Sequence, residues 1–369
     1  MQAVAKTLHR RGYPVEIVFG MYDEGTVLGH RDSFSVKNIR PYKPTNFLAK
    51  LTRPRNIVRH IKTEIRSLDS PAIHWIREPH YARAVAERFP DDPCIYIAAT
   101  VYPNFMKYSR YSGLLNFLRN LVFQPQISQV ERRAVELCTL VVSSQARRNE
   151  FVKYYNVKPR QIHVIHPGID QEYYGSEGAL EERNPNRRPV GLTVCRFSPE
   201  KSVDRLLYML RELKTLDWEW LIIGDGFLRS KLERLSHKLG MGNRVRFLGS
   251  VDAREYYRMA DLFVLPSQYE GFGLVLLEAM ANALPCVAYQ SNPPKIITAS
   301  SEIIDHGSTG FIVNADIPDD MINCLVSLIK NADLRNQMGR NGYQRCVENF
   351  NWDKTVDQLL ALTEDIKRS

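Results

Sequence analysis

The chain has 369 residues, with 50 Lys and Arg against 41 Asp and Glu for a net charge of +9, and 44% of its residues are hydrophobic, 25% charged and 10% aromatic. That length is more than twice a usual domain and predicts two cores, while the composition excludes collagen-like, low-complexity and largely disordered chains. No apolar run approaches the roughly 18 residues of a membrane-spanning helix, and residues 1–11 lack the continuous apolar stretch of a signal peptide.

In chain order, the first half alternates helical patterns at 3–11, 57–67, 82–88, 128–137 and 146–154 with β-rich runs at 15–19, 72–76, 94–98, 140–143 and 162–165. Apolar strands spaced by helices predict an α/β fold whose parallel sheet is covered on both faces. Charge is uneven: residues 1–170 carry a net +12 and residues 171–369 a net −3. The first half is therefore expected to face something anionic, with a membrane surface, a phosphorylated acceptor and a nucleic acid all open on charge alone. Within it, residues 106–123 mix Lys107, Arg110 and Arg119 with aromatic residues and set Leu114, Phe117, Leu118 and Leu121 at helical spacing. That pattern suits either a helix lying on an anionic lipid surface or one packed on its own domain.

The polar stretch 176–188 reads as a linker, which divides the chain into a domain over 1–175, the linker, a second domain over 189–349 and a C-terminal helix over 350–369 that returns to the first domain. In the second domain β-rich runs fall at 190–195, 220–223, 245–248, 262–265, 285–288 and 310–313. Helical patterns lie at 202–214, 228–239, 254–259, 273–282, 317–331, 334–348 and 352–367. The expectation is two doubly wound, Rossmann-like domains facing a cleft, with ligands at the carboxyl ends of the strands. Cysteines stand at 94, 138, 195, 286, 324 and 346 with no Cys-x-x-Cys, which predicts neither a zinc site nor a disulfide framework and suits a reducing, cytoplasmic compartment.

The most specific segment is Pro266-Ser267-Gln268-Tyr269-Glu270-Gly271-Phe272-Gly273-Leu274-Val275-Leu276-Leu277-Glu278, which follows the apolar run 262–265 and opens a helix. Amides of Gly271, Phe272, Gly273 and Leu274 at a helix start favour an anion. If the helix begins near Gly271, Glu270 and Glu278 stand about 12 Å apart along it, beyond the roughly 5 to 9.5 Å of glycosidase acid pairs. They would then touch different parts of one long ligand; two solvated glutamates on a strand-turn-helix is the plainer alternative. Arg196 and Lys201, in Cys195-Arg196-Phe197-Ser198-Pro199-Glu200-Lys201-Ser202, sit between a strand and a helix. There they can offset a diphosphate leaving group, or simply be surface cations. Gly224-Asp225-Gly226 lacks the third glycine of a dinucleotide fingerprint, which disfavours NAD.

Together these segments resemble the retaining glycosyltransferases of GT-B fold with a Glu, seven residues, Glu motif, the glycosyl transferases group 1. The Arg196 to Lys201 loop is similar to the family's Gly-Arg-x-x-x-x-Lys-Gly, with Cys195 and Ser202 in place of its glycines. Ile222 to Gly226, Phe247 to Val251, Glu302 to Phe311, Ser143 to Gln145 and Val164 to Asp170 match further family segments in order. The resemblance implies transfer of a hexose from a nucleoside-diphosphate sugar to a glycan or lipid-linked acceptor in cell-envelope glycan biosynthesis, with no cofactor and no nucleic acid. Arg196 and Lys201 would hold the diphosphate, Glu270 the donor sugar, Glu278 the ribose, and Val251 the base. It further implies chemistry without a metal, consistent with the lack of any Asp-x-Asp. A non-catalytic subunit of the same architecture and a nucleotide-sugar epimerase are the alternatives.

One departure concerns the start. Because 3–11 already reads as the first helix, the family's first strand and its Gly-rich loop have no counterpart. The runs 15–19 and 72–76 are then expected to flank an unfilled central place in the sheet, which implies a chain started downstream of its true beginning or a gap closed by another segment or partner. If the basic half meets a membrane at its inner face, vesicle binding should require anionic lipid and weaken as salt rises. Replacing Lys107, Arg110 and Arg119 with Gln should weaken it further; unchanged co-sedimentation of that variant would return the segment to a packed helix.

Overall fold

The computed structural model describes residues 2–13, 16–20, 35–39, 53–65, 73–99, 101, 114–175 and 187–368. They divide into two compact units, Met1–Pro167 with Trp352–Ser369, and Gly168–Asn351. Positions 106–113 of the basic aromatic stretch and 176–186 of the expected linker lie outside the described residues.

The first unit runs α1 (Gln2–Arg10), β1 (Glu16–Gly20), β2 (Ser35–Ile39), α2 (Arg53–Glu64), β3 (His74–Ile76), α3 (Pro79–Arg88), β4 (Cys94–Ala98), α4 (Leu114–Leu137), β5 (Thr139–Val142), α5 (Gln145–Tyr155) and β6 (Ile162–Val164). Strands β3 to β6 form a parallel sheet in that order. Side-chain alternation explains its two cores. Tyr96, Ala98, Leu140 and Val142 pack with Ala134 and Phe151 on one face, while Ile95 and Val141 pack with Val4 of α1 and with Val356 and Leu359 of the helix Trp352–Arg368 on the other. Helix α5 shows why these segments start and stop where they do. The Ser144 hydroxyl accepts from the Arg147 amide at 3.1 Å at its start, and Asn156 turns left-handed (φ 56°) at its end.

The structure adds to the sequence reading in two places. Strand β1, from the run at 15–19, pairs in parallel with β2, a strand the sequence pattern missed because Ser35-Val36-Lys37-Asn38-Ile39 has too few apolar positions to register. Among the described residues β1 pairs with β2 alone and β3 with β4 alone, in keeping with the expectation that the runs 15–19 and 72–76 do not pair with each other. Helix α4 runs 24 residues through Pro125 and so joins in one helix the helical spacing read at 114–121 and the helix read at 128–137. Proline removes one backbone donor, and turns on either side carry the helix through it. Among the described residues no helix is long and apolar enough to cross a membrane.

The second unit runs β7 (Val190–Val194), α6 (Val203–Glu212), β8 (Glu219–Ile223), α7 (Arg229–Lys238), β9 (Val245–Gly249), α8 (Arg254–Met259), β10 (Leu262–Leu265), α9 (Leu274–Met280), β11 (Cys286–Tyr289), α10 (Ser300–Ile303), β12 (Gly310–Val313), α11 (Pro318–Lys330) and α12 (Ala332–Asn349). Its six strands are parallel in the order β12-β11-β10-β7-β8-β9. Every residue of β10 is buried, Leu262 and Val264 against α6 and Phe263 and Leu265 against α9. A strand covered on both faces has to be continuously apolar, which is why this run was legible.

Gly191 of β7 lies in register with Trp220 of β8, and a Cβ at Gly191 would stand 2.2 Å from the indole ring. The ring has no room to withdraw, because it is wholly buried and its Nε1–H donates to Thr193 Oγ1 at 3.1 Å. Gly191→Ala should therefore lower stability by about 1 to 3 kcal/mol through overpacking, read as a lower urea midpoint at unchanged slope.

Candidate functional site

The order in which strands join the second sheet reverses between β7 and β10: β8 and β9 extend it one way, β11 and β12 the other. Loops leaving the carboxyl ends of these two adjacent strands diverge, which opens a crevice at that point. The candidate residues lie on those loops.

After β7 the chain turns at Cys195, whose amide donates to Ile223 O at 3.0 Å, and Phe197, whose amide donates to Asp225 O at 2.8 Å. The ring of Phe197 is fully buried edge-on to Phe247. This fastening requires glycine on the facing loop: Gly224 has φ 136°, and a Cβ there would sit 1.9 Å from Cys195 O. A 3-10 turn over Pro199–Lys201 then leads through Ser202 into α6.

Two cation–carboxylate pairs result. The Lys201 ammonium is bonded to the Glu270 carboxylate and donates to Tyr269 O at 3.2 Å, and Ser267 Oγ–H donates to Glu270 Oε1 at 3.0 Å. Arg196 donates from Nη2 to Glu200 Oε1 at 3.1 Å, and the Ser198 hydroxyl donates to that same oxygen at 2.5 Å. The loops themselves are joined where the Gln268 amide donates to Glu200 O at 2.7 Å. Arg196 and Lys201 thus come to adjoining loops with Glu270, as the sequence placed them.

The helix opens within one residue of the run read at 273–282, and not near Gly271 as the spacing of about 12 Å assumed. It begins at Leu274, with Gly273 (φ 99°) as the residue before it, and ends at Met280. Gly271 and Phe272 belong to the preceding loop, so the spacing of Glu270 and Glu278 along one helix does not apply. The Phe272 side chain is core, its ring 6.1 Å from that of Phe350, whereas Leu274 is exposed. Val251 is exposed on the turn after β9, its amide donating to Gly249 O at 3.2 Å.

Glu278 is half-buried and accepts the Tyr257 hydroxyl at 2.7 Å. Burial holds its carboxyl above the ordinary range; Asp170 adds to the rise and the Tyr257 hydrogen bond opposes it. Tyr257 itself is fully buried, and desolvation followed by the Glu278 charge pushes its hydroxyl well up. Sequence reasoning missed Tyr257, Ser267, Ser198 and Glu200. Tyr257 comes from a different helix and has no local signal, whereas Ser198 and Glu200 lie inside the recognised loop and could have been flagged as polar residues between two cations.

Comparison with known proteins bears on the whole chain. The family description Glycosyltransferase Family 4 matches residues 1–173, and Glycosyl transferases group 1 matches residues 180–345. An uncharacterised glycosyltransferase of Methanocaldococcus jannaschii is 30% identical over 214 residues, 57% of this chain and 55% of that protein. The D-inositol 3-phosphate glycosyltransferase of Gordonia bronchialis is 30% identical over 263 residues (64% and 55%), and the N-acetyl-alpha-D-glucosaminyl L-malate synthase of Bacillus anthracis 27% over 252 residues (66% and 64%). The matched stretch thus spans less than two thirds of each relative. Among solved structures, the fold resembles sucrose-phosphate synthase from Thermosynechococcus elongatus (TM-score 0.76, 19% identity, 98% of this chain and 91% of that one). It also resembles Anabaena HepE in complex with UDP (0.70, 17%, 99% and 95%) and WaaG, a glycosyltransferase involved in lipopolysaccharide biosynthesis (0.68, 19%, 96% and 94%).

Because burial raises the Glu278 carboxyl, its charged form is the costly one in the fold. The sign follows: Glu278→Gln should raise stability at neutral pH, where the buried group is ionised. The gain should shrink as pH falls through the carboxylate range, where the native group is protonated. Urea unfolding of both proteins at pH 7 and pH 4 reads the difference, and a gain that grows toward acid would contradict the assignment.

Proposed function

We propose that this chain, which belongs to the group 1 glycosyltransferases of GT-B fold, transfers a hexose from a nucleoside-diphosphate sugar to a hydroxyl of a glycan or lipid-linked acceptor, with retention and without a metal. The observation that carries the reading is the Lys201–Glu270 pair at the carboxyl ends of β7 and β10, with Arg196 on the same loop as Lys201. Lys201 spends one N–H on Glu270 and one on Tyr269 O, leaving its third for a phosphate oxygen. The guanidinium of Arg196, exposed beyond Glu200, offers further donors to the same diphosphate.

In this reading the bond between the anomeric carbon and the phosphate oxygen breaks while the acceptor oxygen bonds to that carbon on the same face. The acceptor proton passes to the departing phosphate. Lys201 and Arg196 stabilise the charge that grows on the leaving diphosphate, which is what electrostatic catalysis requires. As Lys201 takes the phosphate, Glu270 turns to the donor sugar hydroxyls, and Glu278, set by Tyr257, takes the ribose. Gly271, Phe272, Gly273 and Leu274 would add backbone amides beside the donor, and Val251 would meet the base. The net +12 of residues 1–170 supports placing the acceptor at an anionic membrane surface, with the enzyme peripheral on its cytoplasmic face.

Donor hydrolysis and transfer assayed with UDP-, GDP- and ADP-sugars test the reading. Arg196→Ala, Lys201→Ala and Glu270→Ala should each lower kcat by about 10²- to 10³-fold, the scale of a lost electrostatic contact, while melting temperatures confirm that the variants fold. Wild-type turnover should persist in excess EDTA. Failure of every nucleotide to raise the melting temperature, together with no donor turnover, would leave a non-catalytic subunit as the better account.

A further inference from the structure

Glu200 is an unusual residue for the place it occupies. Its side chain is 3% exposed, and one carboxylate oxygen, Oε1, takes both the Ser198 hydroxyl and Arg196 Nη2, while Oε2 has no hydrogen-bond partner among the described residues. A buried carboxylate with one bare oxygen costs free energy and is not retained for stability. Its cationic partner lies mostly in solvent, at 63% exposure, and an ion pair with so exposed a partner adds little to the fold.

Resting on the glycosyltransferase reading above, we propose that Glu200 is a positioning residue: it holds the Arg196 guanidinium by one nitrogen and aims the remaining N–H groups at the donor diphosphate. Three features support this. Glu200 sits between the two cations in the 3-10 turn Pro199–Lys201, so its placement sets where both emerge. Its own carbonyl accepts the Gln268 amide at 2.7 Å, which ties that turn to the loop bearing Glu270. Ser198, buried and bonded to the same oxygen, fixes the carboxylate from the other side, so that Oε1 presents a fixed acceptor to an otherwise exposed, rotatable arginine. Arg196 carries five N–H donors and a planar fork, so one anchoring bond orients the rest while leaving them available.

A double-mutant cycle on the full chain tests this, with UDP, GDP and ADP as diphosphate probes and uridine, guanosine and adenosine as probes lacking phosphate, each Kd measured by calorimetry. For whichever base binds, Glu200→Ala should weaken diphosphate binding about tenfold and leave the nucleoside within about twofold. On an Arg196→Ala background it should add less than about twofold, because its effect passes through Arg196. Glu200→Gln, which keeps the shape and an acceptor oxygen, should recover part of the loss, and it carries the same cycle if the alanine variant does not fold. Additive losses, equal weakening of the nucleoside, or tighter diphosphate binding in Glu200→Ala would overturn the positioning role while leaving the functional reading intact. An Arg196→Ala variant that binds the diphosphate like wild type would overturn both.

Discussion

The reversal of strand order between β7 and β10 is the constraint on which the site depends. In a parallel sheet wound one way, each loop crosses over its neighbour and closes the carboxyl edge; where the winding reverses, two adjacent loops leave in opposite directions and the edge stays open. Helix α6 follows β7 onto one face and α9 follows β10 onto the other, each with its own apolar core. Arg196 and Lys201 arrive from one side of the opening and Glu270 from the other. Their meeting is therefore a property of topology, held by backbone bonds such as Gln268 N–H to Glu200 O, and the side chains inherit their positions from it.

Close backbone approach has a cost that this chain bears at Ser202. That residue stands where the family pattern has glycine and takes φ 50°, a left-handed conformation that disfavours a side chain by about 1 to 2 kcal/mol. The turn keeps it because the preceding Pro199–Lys201 segment and the following α6 leave the backbone no alternative path: the Ser202 amide donates to Pro199 O at 3.1 Å, and its carbonyl accepts from Arg205 at 3.1 Å. Cys195, the other replaced glycine, meets its neighbour through its carbonyl, and the glycine that this approach needs is Gly224 across the gap.

What could be read from the sequence divides along the same physical line. The inner strands β10 and β11 of the second unit are buried on both faces, so burial demanded unbroken apolar runs and the runs gave these strands away. Strand β2 escaped because Ser35, Lys37 and Asn38 are polar, and only its pairing with β1 identifies it. Arg196, Lys201 and Glu270 stand out as candidates because charged residues at strand-to-helix turns are chemically conspicuous, and Glu278 because it is a carboxylate in the apolar helix that follows. The start of α9 at Leu274 lies one residue from the run read at 273, and Phe272, packed against Phe350, belongs to the loop before it. Tyr257 and Glu278 are 21 positions apart and joined only by packing. No local pattern encodes such a pair.

Charge balance supplies the remaining step. Lys201 and Glu270 are both largely buried, at 13% and 15% side-chain exposure, and either one alone in that setting would bear the cost of an uncompensated charge. Paired, they let the loops pack before any anion is bound. In the proposed reaction an entering diphosphate would take the third N–H of Lys201, a cation whose burial is already compensated by Glu270. The Glu270 carboxylate, bonded also by Ser267, would serve as an acceptor for hydroxyl donors. On the proposed reading a ligand of this site has to bring both an anion for Lys201 and hydroxyl groups for Glu270, because the pair presents a donor and an acceptor side by side.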